Sequence, residues 1–191
     1  MKKIVTSAVL ALVSAMALAN EPGKTDTGLD YNKIEVDYMS ATISSATWNG
    51  YYTSGSFLVS ESIFLLGNYA SVSRSSITRE KSNIGVGYRL PIAGSTDFFT
   101  TLSYYSQTVE GTTKLTDVGG NLGLGVRAKL SADADVVGAY NYISAEGKTY
   151  NNYSVSLKYN VTQSIFATGG YTSQTGATSA TAYLVGAGVR F

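Results

Sequence analysis

The chain ends on AYLVGAGVRF, residues 182–191. Tyr183, Val185, Ala187, Val189 and Phe191 fall on one parity, and Leu184, Gly186, Gly188 and Arg190 on the other. Successive side chains of a strand point to opposite faces, so parity is face. One face is apolar and aromatic. The other is small and finally charged.

The opposite end supplies context. MKKIVTSAVLALVSAMALA, residues 1–19, has Lys2 and Lys3, then an apolar stretch from Ile4 to Met16, then Ala17-Leu18-Ala19. A basic start, a short apolar run and a small-residue cleavage site predict a secretory signal peptide. The run is too short for a membrane-spanning helix, which needs about 20 apolar residues. Residues 20–28 are polar and read as a short flexible leader, and 29–191 as the folded domain. Without Lys2 and Lys3, 14 − 2 = 12 basic residues face 13 acidic ones, a net charge of about −1. That balance gives no electrostatic case for nucleic acid. Charged residues are 14% of the chain, against about 25% in ordinary soluble domains. A secreted chain so poor in charge, with no long apolar run after residue 20, points to a membrane crossed by strands.

Ten period-2 segments recur, at about 30–39, 49–59, 63–73, 82–90, 97–107, 118–130, 135–143, 151–159, 165–173 and 181–191. The connections alternate between tight ones (near 60–62, 91–96, 131–134 and 160–164) and longer polar ones (40–48, 74–81, 108–117, 144–150 and 174–180). This predicts an all-β fold: an antiparallel up-and-down transmembrane β-barrel of ten strands, with eight as the alternative. Faces follow from parity. Ile84, Val86, Tyr88 and Leu90 oppose Asn83, Gly85, Gly87 and Arg89; Leu122, Leu124 and Val126 oppose Gly123, Gly125 and Arg127. A soluble sandwich would turn the apolar face inward, a membrane barrel outward. The tyrosines favour the barrel, because they fall at two heights. Tyr38, Tyr69, Tyr104, Tyr140, Tyr142 and Tyr171 lie toward one rim, and Tyr88, Tyr159 and Phe191 toward the other. Amphipathic rings collect at the two membrane–water interfaces.

GVGYRL (85–90), GLGVRAKL (123–130), GAGVRF (186–191), the signal peptide and Phe191 together resemble small bacterial outer-membrane β-barrels of the OmpA-like superfamily. LDYNKIEVDYM (29–39), SGSFLVSESIFLLGNYAS (54–71) and NIGVGYRLPIAGSTDFFTTLSYYSQ (83–107) are also similar to a group of small barrels labelled quorum-factor proteins. The resemblance implies a location in the bacterial outer membrane, reached by export across the inner membrane. It implies that the final strand, with Tyr183, Val185, Val189 and Phe191, is the signal read by the outer-membrane assembly machinery. Its other implied partners are outer-membrane lipid, lipopolysaccharide and periplasmic chaperones.

The chain has no histidine and no cysteine. Ser-His-Asp and Cys-His catalysis and the usual zinc sites are therefore closed to it. No enzyme activity and no cofactor is expected. The informative cluster is the set of inward-parity charges: Lys33, Glu35 and Asp37 on the first strand, and Arg89, Arg127, Lys129, Lys158 and Arg190 near the short-turn ends of returning strands. Barrel closure would bring Glu35 toward Arg190. Such charges are costly in a narrow lumen unless paired. They read as a salt-bridged plug in a structural or surface-interaction protein, or alternatively as the selectivity ring of a narrow pore. Phe99 and Tyr105 share the inward parity. A basic patch of Arg74, Arg79 and Lys81 in SRSSITREKS (73–82) is placed in a loop, where it reads as solvated surface charge or, alternatively, as a contact for anionic lipopolysaccharide. A third reading, a secreted soluble β-barrel binder, requires an apolar interior.

Overall fold

The computed structural model describes residues 28–191; the expected signal peptide (1–19) and residues 20–27 of the expected leader lie outside them. The described chain forms β1 (Lys33–Ile43), β2 (Ala46–Leu58), β3 (Ile63–Arg74), β4 (Ile77–Ala93), β5 (Thr96–Glu110), β6 (Lys114–Lys129), β7 (Ala134–Ala145), β8 (Lys148–Asn160), β9 (Ile165–Gly176) and β10 (Ala180–Arg190). Each pairs antiparallel with its neighbour, and β10 returns to β1, so the sheet closes as an up-and-down barrel of ten strands. Paired positions traced once round from Ile43, through β10 and on to Leu58, come back to β1 at position 31, a shear of 43 − 31 = 12. Ten strands with that shear tilt by about 40°. The lumen they enclose is narrow enough for side chains to reach across.

The connections correct one expectation. The side expected to carry longer loops has the shorter ones: residues 44–45, 75–76, 111–113, 146–147 and 177–179. The polar stretches are strand that runs on past the apolar zone. There the outward positions are polar while buried Ala41, Ile43, Val72, Ile143 and Ala145 turn inward, so the apolar parity changes sides and the period-2 signal breaks. Two of the turns also lack the usual Asn-Gly code. Ser44 and Ser45 both sit at positive φ (49° and 65°), as do Glu146 and Gly147 (45° and 75°), the requirement of a type I′ hairpin. The first strand also starts later than expected. Residues 30–32 are not part of it but precede it, and they turn into the barrel.

Faces follow parity. Leu122, Leu124 and Val126 are exposed on the outer surface, while Asn121 and Arg127 are buried. Exposed Ile84, Val86, Leu102, Val155, Leu157 and Val185 continue the apolar band round the barrel. The interior instead holds Asp37, Arg89, Asp97, Asp135 and Lys158, all nearly fully buried. Apolar outside and charged inside is the reverse of a soluble binder, which overturns that reading.

The outward tyrosines group by register. Tyr38 is paired with Tyr51, Tyr140 with Tyr153, and Tyr171 with Tyr183. Ring centroids are 5.8 Å apart for Tyr51–Tyr69, 5.1 Å for Tyr140–Tyr153 and 5.2 Å for Tyr171–Tyr183. Tyr104 and Tyr142 face outward beside them, both exposed. Three hydroxyls donate to polar groups: Tyr38 to Asn49 Oδ1 (2.9 Å), Tyr69 to Glu80 Oε1 (2.7 Å) and Tyr140 to Asn151 Oδ1 (2.6 Å). Those partners lie farther toward the rim, so ring and hydroxyl bridge an apolar and a wet zone. The sequence leaves Tyr51 out of this belt because the second strand alternates poorly; Tyr153, on the outward parity of the eighth strand with Val155, Leu157 and Tyr159, joins the belt only through its register with Tyr140. Exposed Tyr88 and Tyr159 lie toward the end holding both termini, here the near mouth. Phe191, half-buried just past β10, donates its backbone N–H to the Asn32 carbonyl at 3.2 Å.

Leu124 faces outward midway between the aromatic levels. Leu124→Arg is expected to lower folding stability in lipid vesicles by about 2–4 kcal/mol, read from denaturant titrations. Unaltered stability would mean that β6 is faced the other way.

Candidate functional site

Three G-x-R repeats build the near end of the lumen. Gly87, Gly125 and Gly188 are paired across the sheet with Phe64, Phe99 and Phe166. A Cβ at any of the three would come within 2.3 Å of the facing ring. Glycine is thus the space into which each inward phenylalanine folds. The arginine two residues on, Arg89, Arg127 or Arg190, then stands one step nearer the mouth on the same face.

Those arginines do not form a bare basic layer. Arg89 Nε lies 3.5 Å from Asp97 Oδ2, and Arg127 Nη2 lies 3.1 Å from Asp135 Oδ2. Arg190 lies 3.7 Å from both Asp135 Oδ2 and Asp30 Oδ2. Lys158 pairs with Glu35, whose Oε2 also lies 3.8 Å from Lys33 Nζ. Glu35 is thus held by the lysines; Arg190 takes the two aspartates, which corrects the expected Glu35–Arg190 contact. Lys129 stands at the rim and donates to the Gly28 carbonyl at 3.2 Å. Asp37 is buried but belongs to the cavity beyond this layer. Sequence reasoning missed Asp97 and Asp135. Both begin strands just after tight turns, on the inward parity, and strand pairing sets Asp97 opposite Arg127 and Asp135 opposite Lys158, which puts both acids in the basic layer although their ion pairs run to Arg89, Arg127 and Arg190. That register was the available signal.

The larger omission is the chain segment that fills this layer. Leu29, Tyr31 and Asn32 are almost completely buried. The Tyr31 ring packs on Phe64, with centroids 4.9 Å apart, and Phe64 meets Phe99 edge-on at 6.4 Å. The guanidinium carbons of Arg127 and Arg89 stand 5.1 and 5.6 Å from the Tyr31 centroid. Phe166 is flanked in the same way by Lys158 Nζ at 5.0 Å and Arg190 at 5.1 Å. Each ring offers its negative face to two cations. Backbone contacts lock the segment. Arg127 donates to the Asp30 carbonyl, Ser56 Oγ to the Tyr31 carbonyl, and the Leu58 N–H to Asn32 Oδ1 at 2.7 Å. Burial pushes the Asp30 carboxyl above the usual carboxylate range, against the Asn32 N–H and the nearby Arg190, which favour its charge. Read from the sequence, LDYN alternates like the strand that follows, so nothing local marks it as a plug.

Beyond the plug lies a cavity of mixed lining, in which Asp37, Asn68, Asn83, Asn121, Arg79 and Lys81 stand beside apolar Met39, Ala41, Ile43 and Val72. Arg79 and Lys81 therefore face the lumen. Of the patch weighed for lipopolysaccharide contact, only Arg74, at the end of β3, is exposed. Among the described residues no group of acidic side chains is arranged to hold a metal ion.

A closed barrel, apolar outside, with a filled and charged lumen matches a known family over residues 5–161, described as the outer membrane protein beta-barrel domain. The chain belongs to that family. No curated protein matches it. Among solved structures it is similar to the NanC porin (10% identity, TM-score 0.48, covering 82% of this chain and 100% of that one). It is similar also to the KdgM porin (10%, TM-score 0.45, 82% and 99%) and to the translocator domain of the autotransporter NalP from Neisseria meningitidis (11%, TM-score 0.43, 97% and 98%).

Asp135 sits between Arg127 and Arg190 with almost no solvent. Asp135→Asn leaves two buried cations short of a counter-charge and should cost about 3–5 kcal/mol in equilibrium unfolding. Glu110→Gln, which breaks the exposed Lys114–Glu110 pair, should change stability by less than about 0.5 kcal/mol. Equal effects would contradict the buried layer.

Proposed function

We propose that the chain is an integral, non-enzymatic barrel of the bacterial outer membrane whose lumen is closed at the near mouth. Its role on this reading is structural or surface-facing rather than permeation. The observation that carries it is the inserted segment 28–32. Tyr31 and Leu29 occupy the lumen at the level where the cations would otherwise ring an opening, and those cations are spent on rings and carboxylates. A narrow pore would need the same cations free to meet a passing ion.

The outward apolar band and its aromatic rims supply the lipid contact. Export by the N-terminal signal peptide, escort by periplasmic chaperones and recognition of the last strand by the assembly machinery complete the proposal. Contact with lipopolysaccharide falls to the outer tyrosine belt and the exposed rim. Nothing in the charge distribution favours nucleic acid.

Refolded wild-type barrel in a planar bilayer should be silent, with insertion verified separately. A variant in which residues 28–32 are replaced by Gly-Ser-Gly-Ser-Gly should give discrete conductance steps. Steps from the wild type would favour the pore reading. Removing Phe191 should slow assembly into native outer membranes, followed as the rate of appearance of folded barrel, and leave the stability of assembled protein nearly unchanged. An unaltered rate would remove its role as a signal.

A further inference from the structure

Above the plug the lumen opens into a cavity of about 270 Å³, just under the roughly 300–1,000 Å³ that accommodates drug-sized ligands. At its base stands Asp37, 2% exposed, whose Oδ1 is buried and accepts no hydrogen bond. Its neighbour Glu35 is already engaged by Lys158 and Lys33. Amide side chains form the wall: Asn83 donates to Asn68 at 2.8 Å, and Asn121 to Asn83 at 3.2 Å. At the top Lys81 reaches across the lumen to Gln174 Oε1, 2.7 Å away. Arg79 lies over the Trp48 ring at 5.1 Å, and its Nε is buried without a hydrogen bond.

Ion pairs within 4 Å among the described residues include neither Asp37 nor Lys81 nor Arg79. Asp37, Tyr52, Ala70 and Lys81 follow one another in register across β1 to β4. The tilt of the strands lifts Lys81 about 9 Å along the barrel axis from Asp37. The cavity therefore has an acidic pole, a neutral waist of amides and apolar side chains such as Ala41, Ile43 and Val72, and a basic pole, and the poles are too far apart to satisfy each other. Buried charges without partners are costly. A simple cation would answer only Asp37, and a simple anion only Lys81 and Arg79. A solute carrying both charges answers both.

We propose that this cavity is a binding site for a small zwitterion of the ω-amino-acid type, its ammonium on Asp37 and its acid group on Lys81 and Arg79. The site stands whether or not the near mouth conducts, so it does not rest on the closed-plug reading. Trp48, the one tryptophan of the chain, reports on it, because an acid group drawing Arg79 away changes the ring's surroundings.

The test titrates detergent-refolded protein with 4-aminobutyrate and 6-aminohexanoate, against butylamine and butyrate, following Trp48 emission and calorimetric heat. Saturable binding of at least one amino acid is expected, with the single-charge compounds at least about tenfold weaker. Asp37→Asn and Lys81→Met should each weaken it by about tenfold or more. If Asp37→Asn fails to fold, judged by its unheated electrophoretic mobility, Lys81→Met decides alone. No saturation up to about 10 mM, equal binding of butyrate or butylamine, or an affinity unmoved by Lys81→Met overturns the proposal.

Discussion

Everything inside this protein depends on the closure of β10 onto β1. Closure removes the sheet edges, which a membrane requires because lipid offers backbone groups no hydrogen bonds. It also fixes the lumen. Ten strands at this shear leave a space that side chains can cross, as Lys81 does to Gln174. In so narrow a space a charge cannot retain bulk water and must find a protein partner. The ion pairs at the near mouth, the rings set against guanidinium groups and the inserted Tyr31 are consequences of that one constraint.

The repeated G-x-R of β4, β6 and β10 shows how the sequence meets it. The glycine admits a phenylalanine from the paired strand, and the arginine meets an aspartate or a π face. Between them, on the other parity, Tyr88, Val126 and Val189 face outward. A single tripeptide therefore serves packing, lumen electrostatics and the lipid surface together. That economy rests on the strict two-residue period, since a one-residue slip would turn every arginine toward lipid.

The strand count, the up-and-down order and the faces of β1, β4, β6, β8 and β10 were legible because apolar and polar residues alternate cleanly there. The strand extensions past the tyrosine belt were not. In SRSSITREKS both faces carry polar residues and no period-2 contrast is left to read. The same blindness put Arg79 and Lys81 in a loop, when the ladder, continued from residue 82 back to Ile77, places them in the lumen. Lys33, Glu35, Arg89, Arg127, Lys158 and Arg190 were recognised as inward charges by parity. Their partners were harder, because pairing depends on register between strands and not on spacing within one. Asp97 and Asp135 look like ordinary turn-flanking acids until the hairpins are aligned. The inserted Leu29–Asn32 segment carries no signal of its own. Its alternation is that of a strand, and only the aromatic floor beneath it gives Tyr31 a place to go.

The central claim is that Tyr31 lies within the barrel, on Phe64 and between Arg89 and Arg127. The most direct measurement is nuclear Overhauser spectroscopy of the refolded protein in lipid nanodiscs, with the aromatic rings isotopically labelled. Cross-peaks from the Tyr31 ring to Phe64, and upfield-shifted side-chain protons on Arg127, are the expected result. A Tyr31 ring with free-tyrosine shifts and no contact to Phe64 would contradict the account, leaving the near mouth open and the basic layer without its plug.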